Sequence, residues 1–413
     1  MRNALAETET CGGVGGGDAK GGVEGSSSLM RTFDILIVGA GIAGASIASE
    51  LARSRRVCLI EAETTGSVHA TGRSAALFAP TYGGPEIRAL TRASRSFFDK
   101  PPSGFADHPL LNERGCLYLA REDQLDRLTA MADAIRASGG RTTLLETVQA
   151  LRLVPLLHND YVAKAALDSE AMDIDVDALH QGFVRSARAA GAVMIMASPV
   201  LDVERRDGMW HVASAEDAVR APIIVNAAGA WADQVGTLCG AAVIGFQALR
   251  RTACLVDPPS GCSILGWPAV IDVDEQFYFK PDAGKLLLSP ADESLVEPCD
   301  VQPEELDIAI GVDRVQASLA IEVRRVTHSW AGLRTFAPDR VPVVGYDPVV
   351  EGLFWCAGQG GYGIQTAPAL ARMAACLVLD EDVPPDVAAE ELAAADLSPR
   401  RFERISEGKA HRT

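Results

Sequence analysis

Residues Phe33-Asp34-Ile35-Leu36-Ile37-Val38 form a short run in which apolar, mostly β-branched positions follow one another without alternation. That is the pattern of a parallel strand buried on both faces. Gly39-Ala40-Gly41-Ile42-Ala43-Gly44 follows at once, then a small-residue helical stretch from Ala45 to Arg53 and a second buried strand, Val57-Cys58-Leu59-Ile60, ending in Glu61. The pattern predicts a βαβ unit. Glu122 to Ser138 reads as an amphipathic helix with Leu125, Leu128, Met131 and Ile135 on one face and Gly139-Gly140 as its stop. Asp173 to Ala190 reads as another helix, acidic at its N-terminal end where the dipole favours carboxylates. Ala192–Ile195 and Ile223–Val225 read as strands. From Trp210 to Lys285 the pattern is strands and turns, including a hairpin of Phe277–Lys280 and Leu286–Leu288 around Pro281-Asp282-Ala283-Gly284, a loop longer than two residues. Phe354–Ala357 is a late strand, followed by glycines and a helix from about Thr366 with Pro368 in its first turn. No internal repeat is visible.

The order is a Rossmann-like start, a β-rich middle and a return to α/β, which predicts two domains built from alternating chain segments. Residues 1–29 stand outside this pattern. Their glycines and the Ser26-Ser27-Ser28 run cannot bury a core and predict a disordered leader, with Met30 as an alternative start.

Composition narrows the class. The chain has 413 residues with Lys plus Arg 38 against Asp plus Glu 55, a net charge of -17, which disfavours nucleic-acid or anionic-membrane partners. Apolar residues at 48% and charged ones at 23% exclude disorder of the whole chain. The 9 cysteines include no CxxC pair, so a zinc ribbon, a thioredoxin-like motif and a secreted disulfide framework are not expected. The 7 histidines show no metal-like spacing, so no metal site is expected. No apolar run approaches the roughly 18 residues of a membrane span, and no secretory signal is seen. A cytoplasmic location follows, with peripheral contact at the inner face of the membrane left open.

The candidate chemistry begins at the glycine motif. Gly39 permits the tight turn after the strand, Gly41 lets the backbone approach a pyrophosphate, and Gly44 lets the helix pack on the sheet. The helix N-terminus supplies N–H donors. Glu61 stands where an acid binds ribose hydroxyls, which suits FAD or NAD and disfavours NADP. A second glycine-rich loop, Ala357-Gly358-Gln359-Gly360-Gly361-Tyr362-Gly363-Ile364-Gln365, runs from a strand into a helix. It can aim N–H groups at an electron-rich centre, which a flavin requires and a nicotinamide does not.

Several stretches together are more specific. They are Thr71-Gly72-Arg73-Ser74-Ala75-Ala76, Asp173 to Gly182, Val225-Asn226-Ala227-Ala228-Gly229-Ala230-Trp231, Trp330-Ala331-Gly332-Leu333-Arg334 and Gln359 to Gln365. With them the chain resembles the D-amino-acid oxidase superfamily of FAD enzymes, and most of all bacterial FAD-dependent D-arginine dehydrogenases, from about Phe33 to Arg401. The resemblance implies a Rossmann-like FAD-binding domain (residues 30–105, 168–230 and 335–405) interleaved with an α+β substrate domain (106–167 and 231–334) that carries a mostly antiparallel sheet. Residues 406–413 would be a flexible tail. Bound FAD would meet Gly39, Gly41, Ile42, Ala43, Gly44, Glu61, Arg73, Ser74, Ala75, Val200, Ala228, Gly229, Trp231, Gly360, Gly363, Ile364 and Gln365. Arg73 and Ser74 would lie at the pyrophosphate and near the flavin ring, and Val200 would contact adenine through its backbone. Arg251, Tyr278 and Arg334 would hold a substrate carboxylate, the Gly361 carbonyl would receive its amino group, and Tyr82 would sit on a mobile loop above.

The residue types agree with those roles. A carboxylate entering a dry pocket must be paired, and the planar fork of Arg binds it bidentately. By pattern alone Tyr278 fits a core tyrosine equally well, Arg251 fits a surface arginine beside Arg250, and Arg334 fits a structural ion pair. Where D-arginine-preferring relatives place an acid for the cationic side chain, this chain has Cys116. Leu77, Ala79 and Ala269 make the same wall more apolar or roomier. Neutral, apolar D-amino acids are therefore expected over D-arginine, unless nearby Glu113 serves a cation. No cysteine lies beside Gly332-Leu333-Arg334, where related sarcosine oxidases attach flavin, so noncovalent FAD is expected.

The expected reaction is oxidative deamination of a D-amino acid to a 2-oxo acid and ammonia, by hydride transfer from Cα to flavin N5. Alternatives are a glycine, sarcosine or imino-acid oxidase of the same superfamily, a flavin-bearing subunit without turnover, and an NAD-dependent dehydrogenase. The electron acceptor, whether quinone, dye-like acceptor or oxygen, is not readable.

Overall fold

The computed structural model describes residues 30–137, 139–214 and 217–402. The leader at 1–29 and the tail at 406–413 lie outside them.

From Arg31 onward the chain is a mixed α/β structure built on two large sheets. The first is six-stranded, in the order Val193–Ile195, Val57–Ile60, Ile35–Val38, Ile223–Asn226, Leu353–Ala357 and Val343–Tyr346. Its pairs are parallel except the last. The unbroken apolar runs seen in the sequence are explained by burial on both sides. One face meets helices Ile42–Leu51 and Gly363–Val378 through Ile47, Leu51, Leu370 and Met373. The other meets a four-stranded sheet and helix Ala232–Leu238 through Trp210, Val212, Val219 and Val235.

The second sheet is ten-stranded. It is antiparallel apart from the pair Cys116–Ala120 and Ala269–Asp272. On one face, Leu117, Leu119, Phe277, Phe279 and Leu288 pack into a core with Val315 of helix Glu305–Ser318. The alternate positions face the other way and floor a cavity. Segment 353–360 joins the two sheets. After Leu353–Ala357 in the first, Gln359–Gly360 pairs with Thr335 and Phe336 in the second.

Four expectations need correcting. Met172–Ile174 is a strand, and the helix begins only at Val176, with Asp175 as its N-cap accepting from Ala178 N at 2.8 Å. The hairpin strands are Tyr278–Asp282 and Lys285–Ser289, so the turn is the two residues Ala283 (φ 46) and Gly284 (φ 79). Both positive φ values match the twist of an antiparallel pair. The late helix starts at Gly363, not Thr366, and Pro368 lies inside it beyond the first turn. The Ser94 hydroxyl from helix Pro85–Asp99 accepts from Ala369 N at 3.1 Å, and so satisfies the ladder beside the proline. The middle of the chain also contains helix Ala232–Leu238, where only strands and turns were expected. Gly236 lies so close under Trp355 that a Cβ would come 2.2 Å from its Cη2, which lets this short helix pack.

Candidate active site

The first glycine loop is braced from three directions. Gly39 has φ +101, and a Cβ there would lie 2.5 Å from Ala227 O. A Cβ on Gly44 would lie 1.8 Å from Gly39 O, so only glycine allows this helix to start against this turn. Ala40 is held at both ends of its backbone. Its N–H donates to Glu61 Oε2 at 2.6 Å, and its carbonyl accepts from His180 Nε2 at 2.8 Å. Ile42 N–H donates to Thr71 Oγ1 at 3.0 Å, so a side chain from another segment caps a helix whose own N-cap, Gly41, has none. Glu61 stands at the strand end as expected, and its second oxygen accepts from Glu63 N at 2.9 Å. His180 and Thr71 were not singled out from the sequence, although both fall within the stretches that carry the resemblance.

The remaining cofactor candidates divide. Ser198 N donates to Glu61 O at 2.8 Å, which brings the segment leading to Val200 alongside Glu61. Ala228 abuts Gly39, and Gly229–Trp231 forms a short 3-10 turn with the Trp231 ring 4.7 Å from that of His69. Gly363 faces Ile42, with a Cβ there 3.6 Å from Ile42 Cγ2, so the N-termini of the two helices converge. Ala43 packs against the core between them. Arg73 is engaged elsewhere. Its guanidinium donates to Val68 O, Val301 O and Ala331 O at 2.9–3.0 Å and pairs with Asp300. It fastens its segment to the second sheet.

Ser74, Ala75, Gly361 and Gln365 border the cavity over the second sheet. So do Tyr82, Arg251, Tyr278 and Arg334, together with Leu77, Ala79, Cys116 and Ala269. Residues from six separate stretches thus meet at one place. Tyr278 is one of them, on the cavity side of its strand. Its neighbours Phe277 and Phe279 point into the core behind the sheet.

The two arginines differ. Arg251 pairs across the strands with Gly332, and Arg334 with Leu249, so both stand on one face of an antiparallel pair, diagonally offset. Arg251 is 8% exposed and already engaged: Nε donates to Asp292 O at 2.8 Å and Nη2 to Glu293 Oε1 at 3.1 Å. Burial, then the Arg334 charge, hold its pKa below the usual arginine value. Arg334 makes no hydrogen bond or ion pair with any described residue. Burial opposes its charge, but Tyr82, Tyr278, Tyr362 and Glu293 outweigh that and raise its pKa. It is a half-buried cation lining the cavity, with no ion pair among the described residues.

Tyr82 lies above, its ring 5.3 Å from that of Tyr362, and burial pushes its hydroxyl pKa well up. The neighbouring Thr81 hydroxyl donates to buried Asp168 Oδ2 at 2.6 Å. Cys116 is 1% exposed, and burial raises its pKa, so it is a thiol in the wall. Glu113 is exposed on strand Leu111–Glu113 and does not reach the cavity, so it cannot serve a cation there. The acid that does border the cavity is Glu275, unnoticed in the sequence because it occupies a turn at φ 55. Lys280 also borders it.

The fit of a flavin can be judged from the chain's own donors. Gln365 is 3% exposed, its Oε1 accepts from Ala79 N at 3.0 Å, and its Nε2 is buried beside the cavity without an acceptor. A buried orphan donor calls for a ligand acceptor. The first amides of helix Gly363–Val378 also have no intrahelical acceptor and carry the positive dipole end. These donors suit the electron-rich edge of an isoalloxazine.

Comparison with known proteins agrees. The FAD dependent oxidoreductase (DAO) family matches residues 34–377. The chain is 27% identical over 399 residues to FAD-dependent oxidoreductase domain-containing protein 1 of Xenopus laevis, covering 84% of this chain and 79% of that one. It is 25% identical over 377 residues to glycine oxidase of Geobacillus kaustophilus, covering 87% and 96%. The solved L-proline dehydrogenase from P.horikoshii shares the fold with a TM-score of 0.77 at 22% identity, covering 91% of this chain and 99% of that one.

Proposed function

Because this chain belongs to the FAD dependent oxidoreductase (DAO) family and takes FAD as its cofactor, we propose that it oxidises D-amino acids to 2-oxo acids and ammonia. The observation that carries this reading is Arg334, a half-buried guanidinium that forms no ion pair among the described residues and lines a cavity shared with Arg251, Tyr278 and Gly361. An α-carboxylate supplies the missing charge.

Arg334 and Arg251 pair the carboxylate, and the Tyr278 hydroxyl donates to it. The Gly361 carbonyl accepts from the amine, which binds deprotonated, so no side-chain base is required. Tyr82 covers the pair and excludes water. FAD, when bound, would supply the acceptor for the hydride leaving Cα. The chain's contribution is orientation and electrostatics. FAD is held noncovalently by the braced loop at Gly39, Gly41 and Gly44, with Glu61 and the Val200 segment at the adenosine end. Ser74, Ala75, Gly360, Gly363, Ile364 and Gln365 would line the ring. Segments 30–105, 168–230 and 335–405 serve the cofactor, and 106–167 and 231–334 the substrate. The wall of Leu77, Ala79, Cys116 and Ala269 favours neutral, apolar side chains over D-arginine.

A second reading, oxidation of glycine or a secondary amine, is favoured by the similarity to a glycine oxidase. One experiment separates the two. Purified protein is mixed anaerobically with D- and L-amino acids and with sarcosine while the flavin absorbance is followed. Bleaching by D-leucine, D-methionine or D-phenylalanine with L-forms inert supports the proposal. Bleaching only by glycine or sarcosine transfers the function to the second reading.

A further inference from the structure

Tyr278 and Lys280 alternate along one strand and share its cavity face. Phe279 pairs with Val270, and Ala269 pairs with Cys116, so Lys280 stands next to Ala269 in the row that ends the side-chain wall. Its ammonium donates to Asp173 Oδ1 at 2.7 Å. Asp173 lies on the opposite wall, where it pairs with Leu77, and its other oxygen accepts from Arg114 Nε at 2.6 Å. Lys280, Asp173 and Arg114 side chains are 8%, 17% and 15% exposed. Buried Lys280 and half-buried Arg114 therefore share one carboxylate, and among the described residues neither has another acidic partner; Arg114 is also satisfied by Leu265 O and Trp267 O, whereas Lys280 has Asp173 alone. An ammonium has three donors, and one meets Asp173. Buried charge without a counter-ion is costly unless something supplies one.

The other nearby acids do not pair with Lys280 among the described residues. Asp168 accepts from Thr81 Oγ1 and Glu170 N and does not border the cavity. Glu275 borders the same cavity from the turn before Tyr278 and, among the described residues, forms no ion pair with Lys280.

We propose that Lys280 is a specificity-determining residue that receives an anionic group at the end of the substrate side chain, so that dicarboxylic D-amino acids are preferred to their amides. This rests on the amino-acid reading above. It refines the apolar wall by giving it a cationic end, which also repels D-arginine.

The test is anaerobic flavin reduction by D-glutamate against D-glutamine and D-aspartate against D-asparagine, in wild type and Lys280→Met. A charge-assisted hydrogen bond predicts that the better acid exceeds its amide in kcat/KM by about tenfold or more, and that Lys280→Met removes the advantage. If Lys280→Met does not fold, the double variant Lys280→Met/Asp173→Asn removes both members of the ion pair together and is expected to show the same loss. An amide preferred to its acid in wild type overturns the proposal, as does an acid-to-amide ratio unchanged in the variants. Neutral D-amino acids reducing the flavin in wild type keep the broader reading intact in either case, and failure of every D-amino acid sinks that reading itself.

Discussion

The backbone of Gly361 lies against the guanidinium of Arg334: a Cβ on residue 361 would come 2.9 Å from Arg334 Cζ and 3.0 Å from Nε. The contact exists because Gln359–Gly360 pairs with the end of the strand that carries Arg334. One short strand therefore sets the Gly361 backbone beside the Arg334 guanidinium, at the point where the two sheets join.

Gly361→Ala pushes the guanidinium aside without removing it. The expected result is a fall in kcat/KM of about tenfold or more with FAD content retained, since misplacement of about 1 Å is costly in an oriented site. Flavin content by absorbance and reduction by stopped flow check both halves. Unchanged kinetics would show that Arg334 tolerates displacement.

Arg334→Ala and Arg251→Ala should differ. Among the described residues Arg334 has no hydrogen-bond or ion-pair partner, whereas Arg251 is engaged by Glu293 and by Asp292 O. Loss of a bidentate charged contact predicts about 3 kcal/mol or more from transition-state binding for Arg334→Ala, about a hundredfold in kcat/KM. Arg251→Ala is expected to cost less in binding and more in thermal stability, because it leaves Glu293 with Arg340 alone. Equal kinetic losses would contradict this division.

The brace on Ala40 predicts cofactor affinity. His180→Ala frees the Ala40 carbonyl, and Thr71→Val frees the Ile42 amide. Each loses one hydrogen bond of about 1 kcal/mol, so the FAD Kd should rise about fivefold. Recovery of flavin fluorescence on dilution measures release. Wild-type affinity in both variants would mean that the loop holds its shape unaided.

Asp168 predicts a pH signature. Burial raises its pKa above 3.8, against the hydrogen bonds from Thr81 and Glu170. A raised folded-state value means that the native chain holds the proton longer than the unfolded one. Its stabilising contribution is full below the unfolded value and declines as pH rises through the folded one. Asp168→Asn lacks that slope, so its unfolding free energy should gain on wild type as pH rises from about 4 to 7. Parallel urea-unfolding curves across that range would show an unshifted carboxyl.

Local pattern was enough for the βαβ unit, because unbroken apolar runs and a glycine turn are local facts and the strands they predict are buried on both faces. The acid at Glu61 and the late glycine loop followed in the same way, and resemblance supplied residues that the fold gathers around one cavity. Other features depended on partners distant in the chain. Met172–Ile174 is a strand because it pairs with Leu77–Phe78 and Leu111–Glu113. Pro368 is tolerated inside a helix because Ser94 satisfies Ala369. Alternation around Tyr278 showed that two faces exist, but only packing decided that the Phe277–Phe279 face is core and that Tyr278 and Lys280 look into the cavity. Periodicity reports which residues share a face. What that face meets is decided by tertiary contacts, and it is there that Arg334 is left without an anion and Arg73 and Arg251 are supplied with partners.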